Sequence, residues 1–187
     1  MNCIPFIKTF LPEEAVPSGI ILPHQVHGSR IVEIVTGHEN LESCDGIWTS
    51  DYHFMLGIQT ADCAPIAAWD DARFGIFHVG WRGLVNGMCE NILKNFPEKS
   101  SHFFIGPILP VFEIQRDFCF SEISKKFGER FFTFENEKIF FHFQDALFSF
   151  FPHAECDERS TEDTANLASW RRDHNERRNI TIIRFNE

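Results

Sequence analysis

The chain has 187 residues, 43% hydrophobic and 24% charged, which suits one folded domain with one core. Its formal net charge of -10 argues against nucleic acid as a partner, because neutralising phosphates with basic patches drives that binding. No stretch is apolar enough to span a membrane.

Phe occurs 22 times and Tyr once, so much of the core should be Phe. The densest basic stretch, Arg171, Arg172, Arg177 and Arg178, is interleaved with Asp173, His174 and Glu176, which makes a poor phosphate-backbone surface. The Cys residues at 3, 44, 63, 89, 119 and 156 show no C-x-x-C spacing, and residues 1–14 lack the long apolar run of a signal peptide. A reducing cytoplasm with free thiols is expected, most of them small core hydrophobes.

Taken in chain order, residues 1–19 read as an irregular lead-in, broken by Pro5, Pro12 and Pro17. Ser29–Thr36 is β-branched and ends at Gly37, which predicts a strand. Phe54–Gln59, Ala64–Trp69 and Phe74–Val79 are apolar runs that also predict strands. Leu84, Met88, Ile92 and Phe96 lie at helical spacing ahead of Pro97, so Leu84–Phe96 predicts a helix. Phe103–Ile105 predicts a short strand and Phe120–Phe132 an amphipathic helix. Ile139–Phe143 reads as strand or helix, Ala146–Phe151 as helix and Ile180–Phe185 as a closing strand. The pattern predicts a single domain over 1–187, of α+β class with mixed sheets.

Three segments carry candidate chemistry: His24-Gln25-Val26-His27-Gly28, Thr60-Ala61-Asp62-Cys63-Ala64-Pro65 and His78-Val79-Gly80-Trp81-Arg82-Gly83. A two-residue turn at Asp70-Asp71 would set Cys63 opposite His78. A four-residue turn would leave them diagonal on one face, and a three-residue turn would separate them. One thiolate with two imidazoles suits zinc, with copper as competitor, and three ligands leave a fourth position for water or substrate. A lone Cys on an apolar strand is ordinarily a core residue, and zinc-finger spacing is missing. Arg82, ahead of the predicted helix, is a candidate phosphate partner.

At these residues the sequence resembles the laccase-domain family of multicopper polyphenol oxidases, the YfiH-type proteins described as purine nucleoside phosphorylases. The shared segments are Gln25–Gly28 (QVHG), Thr60–Pro65 (TADC-x-P) and His78–Gly83 (H-x-GWRG). Ile105-Gly106-Pro107 and Ser169-Trp170-Arg171-Arg172-Asp173 resemble later family motifs, the second with Trp replacing Tyr. The likeness runs from about residue 20 to the end. Residues 1–19 lack the Arg, Gly-Gly-Val-Ser and Asn that family members usually carry before QVHG.

The resemblance implies an α/β/β/α sandwich of mixed sheets and a zinc held by His27, Cys63 and His78. It implies phosphorolysis of adenosine, inosine and methylthioadenosine to free base and sugar 1-phosphate, with adenosine deaminase side activity. Arg82, with Arg171 or Arg172, would hold phosphate or ribose, and Asp62 would orient a ligand. Alternatives are a copper-dependent polyphenol oxidase, a metal-free cysteine hydrolase on Cys63 and His78, and a non-catalytic zinc- or nucleoside-binding module. A single mononuclear site is a poor base for four-electron reduction of oxygen. The sequence leaves the oligomeric state open.

Overall fold

A computed structural model describes residues 4–185, so Cys3 lies outside the described residues. Seven strands come first: β1 (Phe6–Phe10), β2 (Ile20–Ile21), β3 (Ile31–Glu33), β4 (Gly46–Thr49), β5 (Met55–Thr60), β6 (Ala64–Trp69) and β7 (Phe74–Val79). Helices α1 (Trp81–Val85) and α2 (Met88–Asn95) follow, then β8 (His102–Ile105), β9 (Val111–Ile114) and α3 (Phe118–Phe127). The chain continues through β10 (Phe132–Glu135), β11 (Lys138–His142), α4 (Phe143–Phe148), β12 (Glu155–Cys156), α5 (Trp170–Asp173) and β13 (Asn179–Arg184). The expected α+β class with mixed sheets is what the chain adopts.

The central sheet has six strands in the order β12-β8-β6-β7-β4-β3. A four-stranded sheet runs β1-β13-β5-β2, and a three-stranded one β10-β11-β9. Strands β6 and β7 are buried almost throughout, which explains their unbroken apolar runs. Their side chains alternate between two cores. Ala64, Ile66, Ala68, Phe77 and Val79 join a core with Leu84, Met88, Ile92, Ile123 and Leu147 from the helices. Ala67, Phe74 and Ile76 join a second core with Leu56, Ile58 and Ile183 of the four-stranded sheet. The expected Phe core is present, with Phe74, Phe77, Phe96, Phe141, Phe143 and Phe151 all fully buried.

Several boundaries differ from the sequence expectation. The lead-in is not irregular: Phe6–Phe10 forms an edge strand paired with β13, because Pro5 and Pro12 bound the run rather than interrupt it. Of Ser29–Thr36, only Ile31–Glu33 pairs as strand. The predicted helix Leu84–Phe96 is two helices, broken at Gly87, whose φ of 90° is left-handed. The helix expected at 120–132 starts at Phe118 under an Asp117 cap and stops at Gly128, so Phe132 opens a strand instead. Ile139–Phe143 is strand up to His142, and the following helix begins at Phe143. Among the described residues no helix is long and apolar enough to cross a membrane.

Phe141 is fully buried and packs against Phe112, Phe132 and Phe143 at centroid distances of 5.5, 5.4 and 6.1 Å. Phe141→Ala should cost about 3–5 kcal/mol in urea unfolding, since little can collapse into the vacated ring volume. Phe134→Ala, at a ring that is 45% exposed, should cost less than about 1 kcal/mol in the same measurement.

Candidate metal centre

The β6–β7 hairpin turns through residues 70–73. Asp70 Oδ1 accepts the backbone amides of Ala72 and Arg73 at 2.9 and 3.0 Å, and Asp70 N donates to Arg73 O at 3.0 Å. This four-residue turn sets Pro65 opposite His78. Cys63 therefore stands diagonally from His78 on the same face, one of the two arrangements that unite them. His27 arrives from the 24–28 loop with a φ of 61°. Its ring meets His78 edge-on at 4.7 Å between centroids. One donor atom each from His27, Cys63 and His78 lie within 4.8 Å of one another, the only such group among the described residues.

Two glycines make this convergence possible. A Cβ on Gly80 would stand 2.8 Å from Cys63 Sγ and 3.2 Å from the His27 ring. A Cβ on Gly83 would stand 2.9 Å from the carbonyl of Gly28, so α1 packs on the His27 loop only because no side chain intervenes.

Asp45, which sequence reasoning missed, organises the two histidines. Its buried carboxylate accepts Nδ1–H of His78 at 2.8 Å. It also accepts the backbone amides of Val26, His27 and Gly28 at 3.2, 2.8 and 2.8 Å. Its own carbonyl accepts His78 N at 2.7 Å. The available signal was a lone carboxylate leading into the apolar segment Gly46-Ile47-Trp48. With Nδ1 engaged, His78 has Nε2 left for a ligand, the arrangement usual for metal-bound histidines.

The electrostatics follow from this packing. Burial opposes ionisation of Cys63, yet hydrogen bonds and charge from His27 and His78 bring its thiol down to about 6. Burial likewise opposes a charged His78, but Asp45 and Cys63 push it up to about 9. Burial works against the Asp45 carboxylate too, and the His78 and backbone N–H bonds still hold it below the usual carboxylate range. Once an ion displaces the Nε2 proton of His78, a thiolate and two imidazoles, one of them braced by a carboxylate, form a donor set that fits zinc. Burial raises the thiols of Cys44 and Cys119, the latter to about 11, so Cys63 is set apart from them.

The trio opens onto a cavity of about 1010 Å³. Trp81, Phe112, Phe143 and Trp170 supply aromatic walls, and Arg82, Arg171 and Arg178 supply cationic ones. Arg82 lies in the first turn of α1 rather than ahead of a helix, 5.2 Å over the Trp81 ring. Arg171 lies 4.3 Å over Phe112. Of the two expected candidates, Arg171 or Arg172, the cavity is lined by Arg171, and Arg172 is turned away from it. Its guanidinium donates to the carbonyls of Thr161 and Leu167 at 2.7 and 2.6 Å and to Asp173 at 2.7 Å. Asp62 borders the cavity, but its carboxylate accepts Thr161 Oγ1–H and Arg171 N–H. Among the described residues the carboxylate that braces a candidate ligand is that of Asp45.

Residues 9–185 match the family described as multi-copper polyphenol oxidoreductase laccase. A purine nucleoside phosphorylase of Aquifex aeolicus is 27% identical over 176 residues, covering 88% of this chain and 82% of that protein. One from Rickettsia conorii is 28% identical over 130 residues, 66% of this chain and 51% of the relative. One from Staphylococcus epidermidis is 32% identical over 100 residues, 46% of this chain and 38% of the relative. The chain thus spans about half the length, or less, of the last two. The hypothetical protein YfiH of Bacillus licheniformis superposes with a TM-score of 0.77 at 19% identity, over 90% of this chain and 74% of its own. YlmD of Geobacillus stearothermophilus gives 0.76 at 19% identity, with the same coverage. With the shared fold and the match over nearly the whole length, the chain belongs to the multi-copper polyphenol oxidoreductase laccase family.

Proposed function

We propose that the chain is a zinc-dependent purine nucleoside phosphorylase acting on adenosine, inosine and methylthioadenosine, with adenosine deamination on the same site. The observation that carries this reading is the meeting of His27, Cys63 and His78 beside a cavity walled by aromatic rings and arginines. The names of the relatives support it.

In this reading His27, Cys63 and His78 hold the metal. Bound zinc lowers the pKa of a coordinated water to near 7 and so makes hydroxide available at neutral pH, which deamination at C6 of adenosine requires. Asp45 keeps His78 in the tautomer that presents Nε2. Trp81 and Trp170 offer flat apolar surface to a purine. Arg82 and Arg171 bind the phosphate dianion, and a guanidinium lying on an aromatic ring keeps its fork of donors oriented. In phosphorolysis a phosphate oxygen bonds to C1′ of the ribose while the C1′–N9 bond breaks. The base leaves with the bonding pair and takes up a proton.

The depressed Cys63 thiol also serves the rival reading, a cysteine nucleophile with His78 as its base. His27 separates the two, since a Cys63–His78 dyad does not need it. Elemental analysis of purified protein should give about one zinc per chain. His27→Ala should lower zinc content and turnover as far as Cys63→Ala does. Asp45→Asn, keeping shape but losing the acceptor pattern, should weaken zinc about 10–100-fold in a chelator competition. Full zinc and normal turnover in His27→Ala would transfer the reading to the dyad.

Release of free base from inosine should depend on added phosphate, and Arg82→Ala should raise the phosphate KM about tenfold or more, as expected for loss of a charge-assisted contact. Base release indifferent to phosphate would dismiss phosphorolysis.

Zinc should shield Cys63 from iodoacetamide, and chelation should expose it. In the chelated protein the alkylation rate should climb with the thiolate fraction and reach half its plateau near pH 6, where Cys63 ionises. A midpoint above pH 8 would mean that the two histidines do not act on this thiol in solution.

A further inference from the structure

Helix α5 carries Trp170 and Arg171 to the cavity but has only four residues, too few to hold its own shape. Its first free amides find partners outside the helix. Ser169 Oγ accepts Arg172 N–H at 3.2 Å, and Asp62 Oδ2 accepts Arg171 N–H at 2.8 Å. The other carboxylate oxygen of Asp62 accepts the hydroxyl of the fully buried Thr161 at 2.6 Å. The Asp62 carbonyl accepts Leu109 N–H at 3.0 Å. One residue thus ties three segments together: the turn that ends in Cys63, the approach to β9, and the 161–173 segment. Asp62 has a φ of 83°, a left-handed conformation that Asp and Asn tolerate better than most residues.

The consequence falls on Arg171. With its backbone fixed by Asp62, its Nη1 donates to Glu113 O at 2.9 Å and its guanidinium lies 4.3 Å over Phe112. Both carboxylate oxygens of Asp62 are taken by protein donors. We infer that Asp62 is a positioning residue that holds the Arg171 guanidinium at the cavity beside the Cys63 turn, and that it acts on the bound anion through Arg171. The identity of that anion as phosphate rests on the proposed phosphorolysis.

The test uses the full chain as purified, with inorganic phosphate as the probe in titration calorimetry. Asp62→Ala should weaken phosphate about tenfold, the scale of one hydrogen bond to a charged group. It should leave zinc content unchanged and add nothing in an Arg171→Ala background. Asp62→Asn should recover most of the loss, because Oδ1 can accept from Arg171 N while Nδ2 donates to the Thr161 hydroxyl. An Asn variant as weak as the Ala variant would mean that the negative charge itself is needed, and would overturn the inference. A fall in zinc content in Asp62→Ala would make Asp62 a support of Cys63 instead, which also overturns it. A second measurement is independent of phosphate. Amide exchange at Arg171 should lose protection in Asp62→Ala and keep it in Asp62→Asn, with Ile182 in the buried β13 strand unchanged in both. Unaltered protection in Asp62→Ala would refute the positioning role. If the wild type takes up no phosphate, the phosphorolysis reading falls, and the exchange result alone decides the role of Asp62.

Discussion

The centre depends on a charge in the wrong place for a carboxylate. Asp45 is fully buried, and moving an ion out of water costs several kcal/mol unless donors replace the lost solvent. Here three consecutive backbone amides and one imidazole replace it. Those donors can converge on one carboxylate only if the 24–28 loop wraps around it. The wrapping puts His27 at positive φ, a strain on the order of 1 kcal/mol that the amide bonds offset. The same carboxylate therefore sets the path of one candidate ligand and the tautomer of another.

The central sheet provides the rigidity behind this arrangement. Strands β6 and β7 pack against helices on one face and the four-stranded sheet on the other. A one-residue slip would put every side chain of the pair on the wrong face, so register is held tightly. Cys63 and His78 sit at the ends of these strands, where they share that register while reaching the cavity. Gly80 and Gly83 then let α1 descend onto the His27 loop without colliding with the trio. Packing thus determines the chemistry's geometry before any ligand arrives.

Function lives in the site rather than in the architecture. At 19% identity the solved neighbours share a fold, and folds host many activities. The sharper information is how neighbouring residues are used. Arg171 and Arg172 are adjacent and chemically identical, yet one faces the cavity and the other is spent on backbone carbonyls and Asp173. Asp45 and Asp62 are both carboxylates beside candidate ligands or their loops, yet one braces an imidazole and the other anchors a distant helix.

By itself the sequence determined the elements whose signal is local. The apolar runs of β5, β6 and β7 and the closing strand β13 were legible because buried strands select β-branched and aromatic residues over short windows. His27, Cys63 and His78 were legible as candidates because each stands in a short distinctive segment. Two breaks were misread, at Gly87 and Gly128, because helical spacing continues across a glycine even where the backbone does not. The edge strand β1 was misread because Pro5 and Pro12 mark its segment as irregular although they only flank it. What only the tertiary structure decided was everything that depends on distance between remote segments. The choice between a two- and a four-residue turn fixed the register of Cys63 and His78. The link from Asp45 to His78 spans 33 positions, and that from Asp62 to Arg171 spans 109. A hydrogen bond between residues so far apart leaves no periodic trace, because the pairing exists only once the sheets have closed.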